Sequence, residues 1–209
     1  FGANSFYSLK YKDQYEETRA LMSSLQYEKN WKSWRTTASL YYRQHHDRFQ
    51  LFRYDAPSWY TADNNHLTHV LGGNYQLAKG TKIGLTTISI DARSESILST
   101  NLGDLLTNPR FDFYTHDTIF KKGKKRTHFS VSLSHRFFIK KWVLTLGIME
   151  SGNNDYGFKT YGGANIEYRI KPKAILNFYI NNSYRLPTFT DLYYSSPSQL
   201  GNPSLKPEQ

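Results

Sequence analysis

The residues of this chain with the types to do chemistry are seven histidines and scattered carboxylates. His45, His46 and Asp47 stand together, and His66 and His69 have the spacing of a metal-binding pair on a helix. On a strand, adjacent residues point to opposite faces, so His45 and His46 do not converge on one ion. Asp104, Asp112 and Asp117 lack the spacing of a calcium loop. No HExxH, GxSxG, Walker or GxGxxG pattern occurs. With no cysteine, there is no thiolate site, thiol nucleophile or disulfide. The residues predict no metal site, no cofactor and no enzyme, and the histidines read as ordinary polar side chains.

Whatever these residues do, the elements that carry them are strands. Apolar and polar residues alternate with period two along nearly the whole chain, and helical periodicity is poor. Phe129, Val131, Leu133 and Phe137 fall on one face, and His128, Ser130, Ser132, Ser134 and Arg136 on the other. The pattern predicts eight main strands at 19–29, 33–45, 66–77, 81–95, 126–138, 142–151, 157–170 and 173–184. Short turns are expected near 30–32, 78–80, 139–141 and 171–172. They alternate with the longer segments 46–65 and 96–125, the shorter 152–156, and the tail after 184.

That alternation of connection lengths distinguishes two all-β architectures. A soluble sandwich has no reason to gather its short turns at one end, whereas a membrane barrel places short turns on one side and long loops on the other. Hydrophobic residues make up 38% of the chain, yet aromatic residues reach 16%, a combination that fits strands apolar on one face only. Trp31, Trp34 and Trp142 flank short turns, with Tyr27, Tyr75 and Tyr168 near the same level, as an interfacial girdle requires. No apolar run reaches the roughly 20 residues of a membrane helix. The fold class is therefore read as all-β, an antiparallel transmembrane barrel segment. The net charge of +10 includes the run Lys121–Arg126. That run has no interleaved aromatics to stack bases, so nucleic acid is not expected. On the long-loop side it would meet the phosphates of outer-membrane lipopolysaccharide.

The tail holds the most specific signal. "SYRLPTFTDLYY" (183–194) is followed by "GNPSLKPEQ" (201–209). This pair resembles a signature of TonB-dependent outer-membrane receptors, in which an R-x-P-x-x-x-[DE]-L-[YF] stretch follows a barrel strand and GNPxLKPE leads into the next. Arg185, Pro187, Asp191, Leu192 and Tyr193 match its first half. Gly201, Asn202, Pro203, Leu205, Lys206, Pro207 and Glu208 match its second. "FGANSFYS" (1–8), "QYEETR" (14–19) and "ARSESILSTNLG" (92–103) are similar to the vitamin B12 receptors of Bacteroidota-type envelopes.

The resemblance implies active uptake across the bacterial outer membrane, driven by the TonB energy-transducing complex. It implies cobalamin as the ligand, with a ferric siderophore as the alternative. It also implies a barrel of about 22 strands with an N-terminal plug. Residues 1–209 are then expected to be part of one barrel domain, without the plug and the remaining strands. A small closed barrel of eight strands acting as adhesin, anchor or pore is the competing reading. Large aromatic loop residues supply apolar area with polar tips, so Tyr54, Trp59, Tyr60, Phe113, Tyr114, Tyr193 and Tyr194 are the candidate ligand contacts.

Overall fold

The period-two pattern builds one antiparallel sheet. A computed structural model describes residues 11, 13–60, 63–114, 118–194 and 200–208. Residues 1–8, which carry part of the cobalamin-receptor resemblance, lie outside the described residues, as do His116 and Asp117. The strands are β1 (Tyr15–Trp31), β2 (Trp34–Gln50), β3 (Asn64–Thr81), β4 (Gly84–Ser99), β5 (Asp104–Phe111), β6 (Ile119–Ile139), β7 (Trp142–Asn153), β8 (Gly157–Lys171) and β9 (Ala174–Asn181). The sheet order is β1-β2-β3-β4-β6-β7-β8-β9, with β5 hydrogen-bonded to β6 off this path. One short helix, α1 (Phe189–Tyr193), follows in the tail.

Partnered residues share a face, so the registers carry each row across the sheet. One apolar row runs Leu25–Leu40–Gly73–Ala92–Phe129, and a neighbouring row runs Tyr27–Ala38–Tyr75–Ile90–Val131. The opposite face carries polar rows such as Glu28–Thr37–Gln76–Ser89–Ser132. The apolar rows are not a core: Leu25 is 70%, Leu40 62% and Phe178 64% exposed. The largest fully buried side chains, Phe120, His46, Asn65, Asp112 and Ser99, all sit toward the long-loop end. Among the described residues no element packs across the apolar face in the way the second sheet of a sandwich would.

Two-residue turns at 32–33, 82–83, 140–141 and 172–173 close one end. Lys32 and Lys140 take the left-handed φ that tight hairpins favour, at 50° and 52°. The expected turn at 78–80 is a correction: those residues belong to β3, which pairs with β4 as far as Thr81–Gly84. The strand count is a second correction, nine instead of eight. The segment 96–125 is not one long loop but the end of β4, then β5, then the start of β6. The lysines of 121–125 look solvated in sequence. Their backbone nevertheless pairs with β4 on one edge (Ser99–Lys122) and β5 on the other (Asp104–Gly123), and ladder bonds override side-chain polarity there.

Candidate functional site on the polar face

The tail crosses onto the polar face and is locked there. Tyr184 stacks on Tyr161 of β8 with ring centroids 5.0 Å apart and planes at 6°, and Tyr161 is buried. Next, Arg126 of β6 donates through Nη1 to the carbonyl of Pro187 at 2.9 Å, and its guanidinium lies 4.9 Å from the Phe189 ring centroid. Arg126 is itself oriented by Glu95, its register partner on β4, whose Oε1 accepts from Arg126 Nε at 2.9 Å. His128 Nε2 lies 2.5 Å from the same oxygen. Two residues before Arg126, Lys124 places Nζ 5.6 Å from the Tyr193 ring centroid and pairs with Asp104 of β5 at 2.9 Å. From the turn after β7, the Tyr156 hydroxyl donates to the Leu205 carbonyl at 3.1 Å.

Within the tail the two motif halves hold each other. Thr188 caps α1: its hydroxyl accepts from the Asp191 amide at 3.1 Å, and Asp191 Oδ2 accepts from the Thr188 amide at 2.9 Å. Arg185 Nη2 reaches the same carboxylate at 3.4 Å. The Thr188 amide, ahead of the Thr188 hydroxyl and the Arg185 guanidinium, holds the Asp191 carboxyl below the usual aspartate range. Arg185 and Glu208 exchange both backbone bonds, at 3.0 and 3.1 Å, forming a bridge between the ends of the motif. Asn202 donates its amide to Asp191 O at 2.9 Å. Gly201 sits where a Cβ would lie 2.8 Å from backbone atoms of Leu192, Tyr193 and Tyr194, so a side chain there forces the segment apart. Leu192 is buried, and Pro187 and Leu205 help to enclose a cavity of about 490 Å³. Lys206 lines the same cavity, and Pro203 and Pro207 bracket Leu205 and Lys206 in a segment without helix or strand. The signature residues thus build a lock.

The candidate aromatic contacts do not converge. Tyr193 and Tyr194 are on the polar face, Tyr193 against Lys124 and Tyr194 in the tail cavity. The remaining five belong to connections that lean on the other face, above the apolar rows. Tyr60 accepts from the Leu51 amide at 2.9 Å and donates to Asp63, which pairs with Arg48 of β2 at 2.7 Å. Burial pushes the Tyr60 hydroxyl up to about 12. Trp59 and Tyr60 each meet Phe52 edge to face, and Tyr54 lies 5.4 Å from the Arg53 guanidinium. Tyr114 accepts from Gln44 at 2.6 Å and lies over His46 at 5.4 Å. Phe113 is 79% exposed.

Sequence reasoning missed the residues that hold these parts in place. Alternation alone puts Arg126 and His128 on one face; only the β4–β6 register sets Glu95 opposite Arg126, within reach of His128 as well. The histidines read in sequence as ordinary polar side chains, and that reading does not show that His46 is buried. It is 1% exposed, and its Nε2 lies 2.8 Å from Asp112 Oδ2. Asn65 adds a bond from Nδ2 to Thr118 at 3.2 Å. This buried cluster ties the connection between β5 and β6 to β2 and β3. His45 and His46 do point to opposite faces, as strand geometry requires. Among the described residues no group of three metal-ligating side chains converges.

A sheet with one apolar and one polar face, tight turns at one end and long connections at the other, has the form of a β-barrel wall. The chain belongs to the TonB-dependent receptor-like β-barrel family, whose model matches residues 1–209. Its structure is similar to the crystal structure of the siderophore receptor PirA from Acinetobacter baumannii. The TM-score is 0.57 and the identity 12%, over 86% of this chain and 26% of that one. The chain therefore spans about a quarter of that receptor, and at this identity the likeness concerns the fold. No curated protein matches the sequence.

Proposed function

We propose that the chain forms part of the wall of a bacterial outer-membrane transporter that takes up an organometallic nutrient, cobalamin, with TonB-supplied energy. One observation carries the membrane part: the apolar rows keep one face through every strand register and stay exposed. Lipid satisfies such a surface, and water does not. The polar face then lines the lumen, and the locked tail lies over it at the long-loop end, where a ligand enters. Among the described residues the outermost strands of the sheet, β1 and β9, pair on one side only, and backbone groups on an open edge cannot be satisfied in lipid. Further strands of the same barrel domain complete the wall, and the plug and the TonB contact belong to segments outside this chain. The role is transport, without catalysis.

Cobalamin is favoured over a ferric siderophore by the phrases at 1–8 and 92–103. Titration of the intact receptor with cyanocobalamin and with a panel of ferric siderophores tests the choice. Saturable tight binding of cyanocobalamin is expected, and tight binding of siderophores alone overturns the assignment.

A further inference from the structure

The four tight turns carry charge of one sign. Lys29 and Lys32 flank the first, and Lys79 and Lys82 the second. Lys140 and Lys141 make the third, and Lys171 and Lys173 frame the fourth. All eight are exposed, and among the described residues none of them makes an ion pair. The carboxylates nearest the turns are already taken: Glu28 by Arg35 at 3.0 Å and Glu167 by Arg136 at 3.0 Å.

A collar that served only to keep this end hydrated would be polar throughout. Here Trp31, Ile83, Ile139, Trp142 and Ile170 stand exposed among the lysines, Ile83 at 62% at the tip of its turn. Lys79 Nζ lies 4.7 Å from the Trp34 ring centroid. Ammonium groups interleaved with interfacial aromatic and branched apolar side chains match the headgroup zone of an anionic leaflet. On the row set above the collar, Leu25, Tyr27, Leu40, Gly73, Tyr75 and Ile90 line an apolar hollow of about 400 Å³. Gly73 and Lys79 share a face, and the strand between them spans roughly 20 Å. With barrel tilt that is about half the hydrocarbon thickness, the reach of an acyl chain from its phosphate.

We propose that this collar, with the apolar rows of β2 and β3 above it, binds anionic phospholipid from the leaflet at the tight-turn end. The phosphates sit on the lysines and an acyl chain lies along the hollow. The proposal rests on the membrane-barrel reading above. Its test uses the intact receptor in mild detergent, offered equimolar phosphatidylglycerol, phosphatidylcholine and lipid A, with retained lipid counted by native mass spectrometry. Phosphatidylglycerol is expected to exceed phosphatidylcholine by about tenfold. Combining Lys29→Gln, Lys79→Gln, Lys140→Gln and Lys171→Gln should lower its retention about fivefold or more, while the corresponding Lys→Arg set keeps it. Raising salt to about 0.5 M should release it from the unaltered protein, which removes any dependence on variant assembly. Equal retention of the two phospholipids, or indifference to both salt and charge removal, overturns the proposal. So does a preference for lipid A that survives the glutamine set, since the phosphates bound would then belong to the other leaflet. Failure of the barrel reading shows differently, as a receptor soluble without detergent and unchanged in gel mobility on heating.

Discussion

At Arg126 a single side chain joins wall to tail, because its guanidinium bonds Glu95 and the Pro187 carbonyl together. Arg126→Ala removes a charge-assisted bond from a buried carbonyl and one of two partners from Glu95, a loss of about 2 kcal/mol. The expected outcome is faster proteolysis within 183–208 while the barrel keeps its heat-modifiable mobility. Equal cleavage of both forms would mean that the tail is held elsewhere. Gly201→Ala should loosen the same segment, by pressing a methyl group into the backbone of Leu192–Tyr194. Asp191 adds a pH dependence. Its folded pKa is lowered, so its contribution is complete above the ordinary aspartate value near 3.8 and disappears as pH falls through the lower folded value. Proteolytic protection of the tail should hold at pH 5 and fail only in stronger acid, and Asp191→Asn should abolish that transition. Tyr193→Ala with Tyr194→Ala should weaken uptake at unchanged surface expression. A buried aromatic anchor costs about 2 kcal/mol or more on truncation, and normal uptake would leave these rings a packing role.

Along a strand, one residue of displacement reverses the environment. Leu133 lies in the row with Ile88 and Ile148, and its neighbour Ser132 lies in the polar row with Ser89. Leu133→Arg places a charge against lipid and should destabilise the barrel by about 2–4 kcal/mol; Ser132→Arg meets the wet lumen and should cost little. Denaturant midpoints of the intact receptor in lipid vesicles separate the two. Equal midpoints would count against the assignment of faces. The same logic accounts for the strand ends. Sequence places the start of the fifth main strand at 126, where apolar alternation becomes visible, but β6 begins at Ile119 because β4 and β5 supply ladder partners.

For the whole molecule the decisive feature is the pair of edges. Among the described residues β1 and β9 each pair on one side only, and the rows between them expose apolar side chains from Leu21 to Ile180. The 209-residue chain purified alone in detergent should therefore associate through its edges and conduct no ions. A heat-modifiable monomer that forms a closed pore would instead favour the small-barrel reading.

What the sequence determined by itself was the side of the sheet on which each residue stands, because strand periodicity is a local property of the backbone. The same alternation set the tight turns at one end, and the spacing of Arg185, Pro187, Asp191 and the Gly201–Glu208 stretch marked the tail as a unit. Tertiary structure alone decided which residues meet. Glu95 faces Arg126, and Asp112 reaches His46, through registers and returns that span 31 and 66 residues. No local pattern encodes such pairings, since register depends on partners elsewhere in the chain. For the same reason the aromatic loop residues, alike in sequence, divide between the two faces: the strand from which each connection leaves fixes the side on which it folds back.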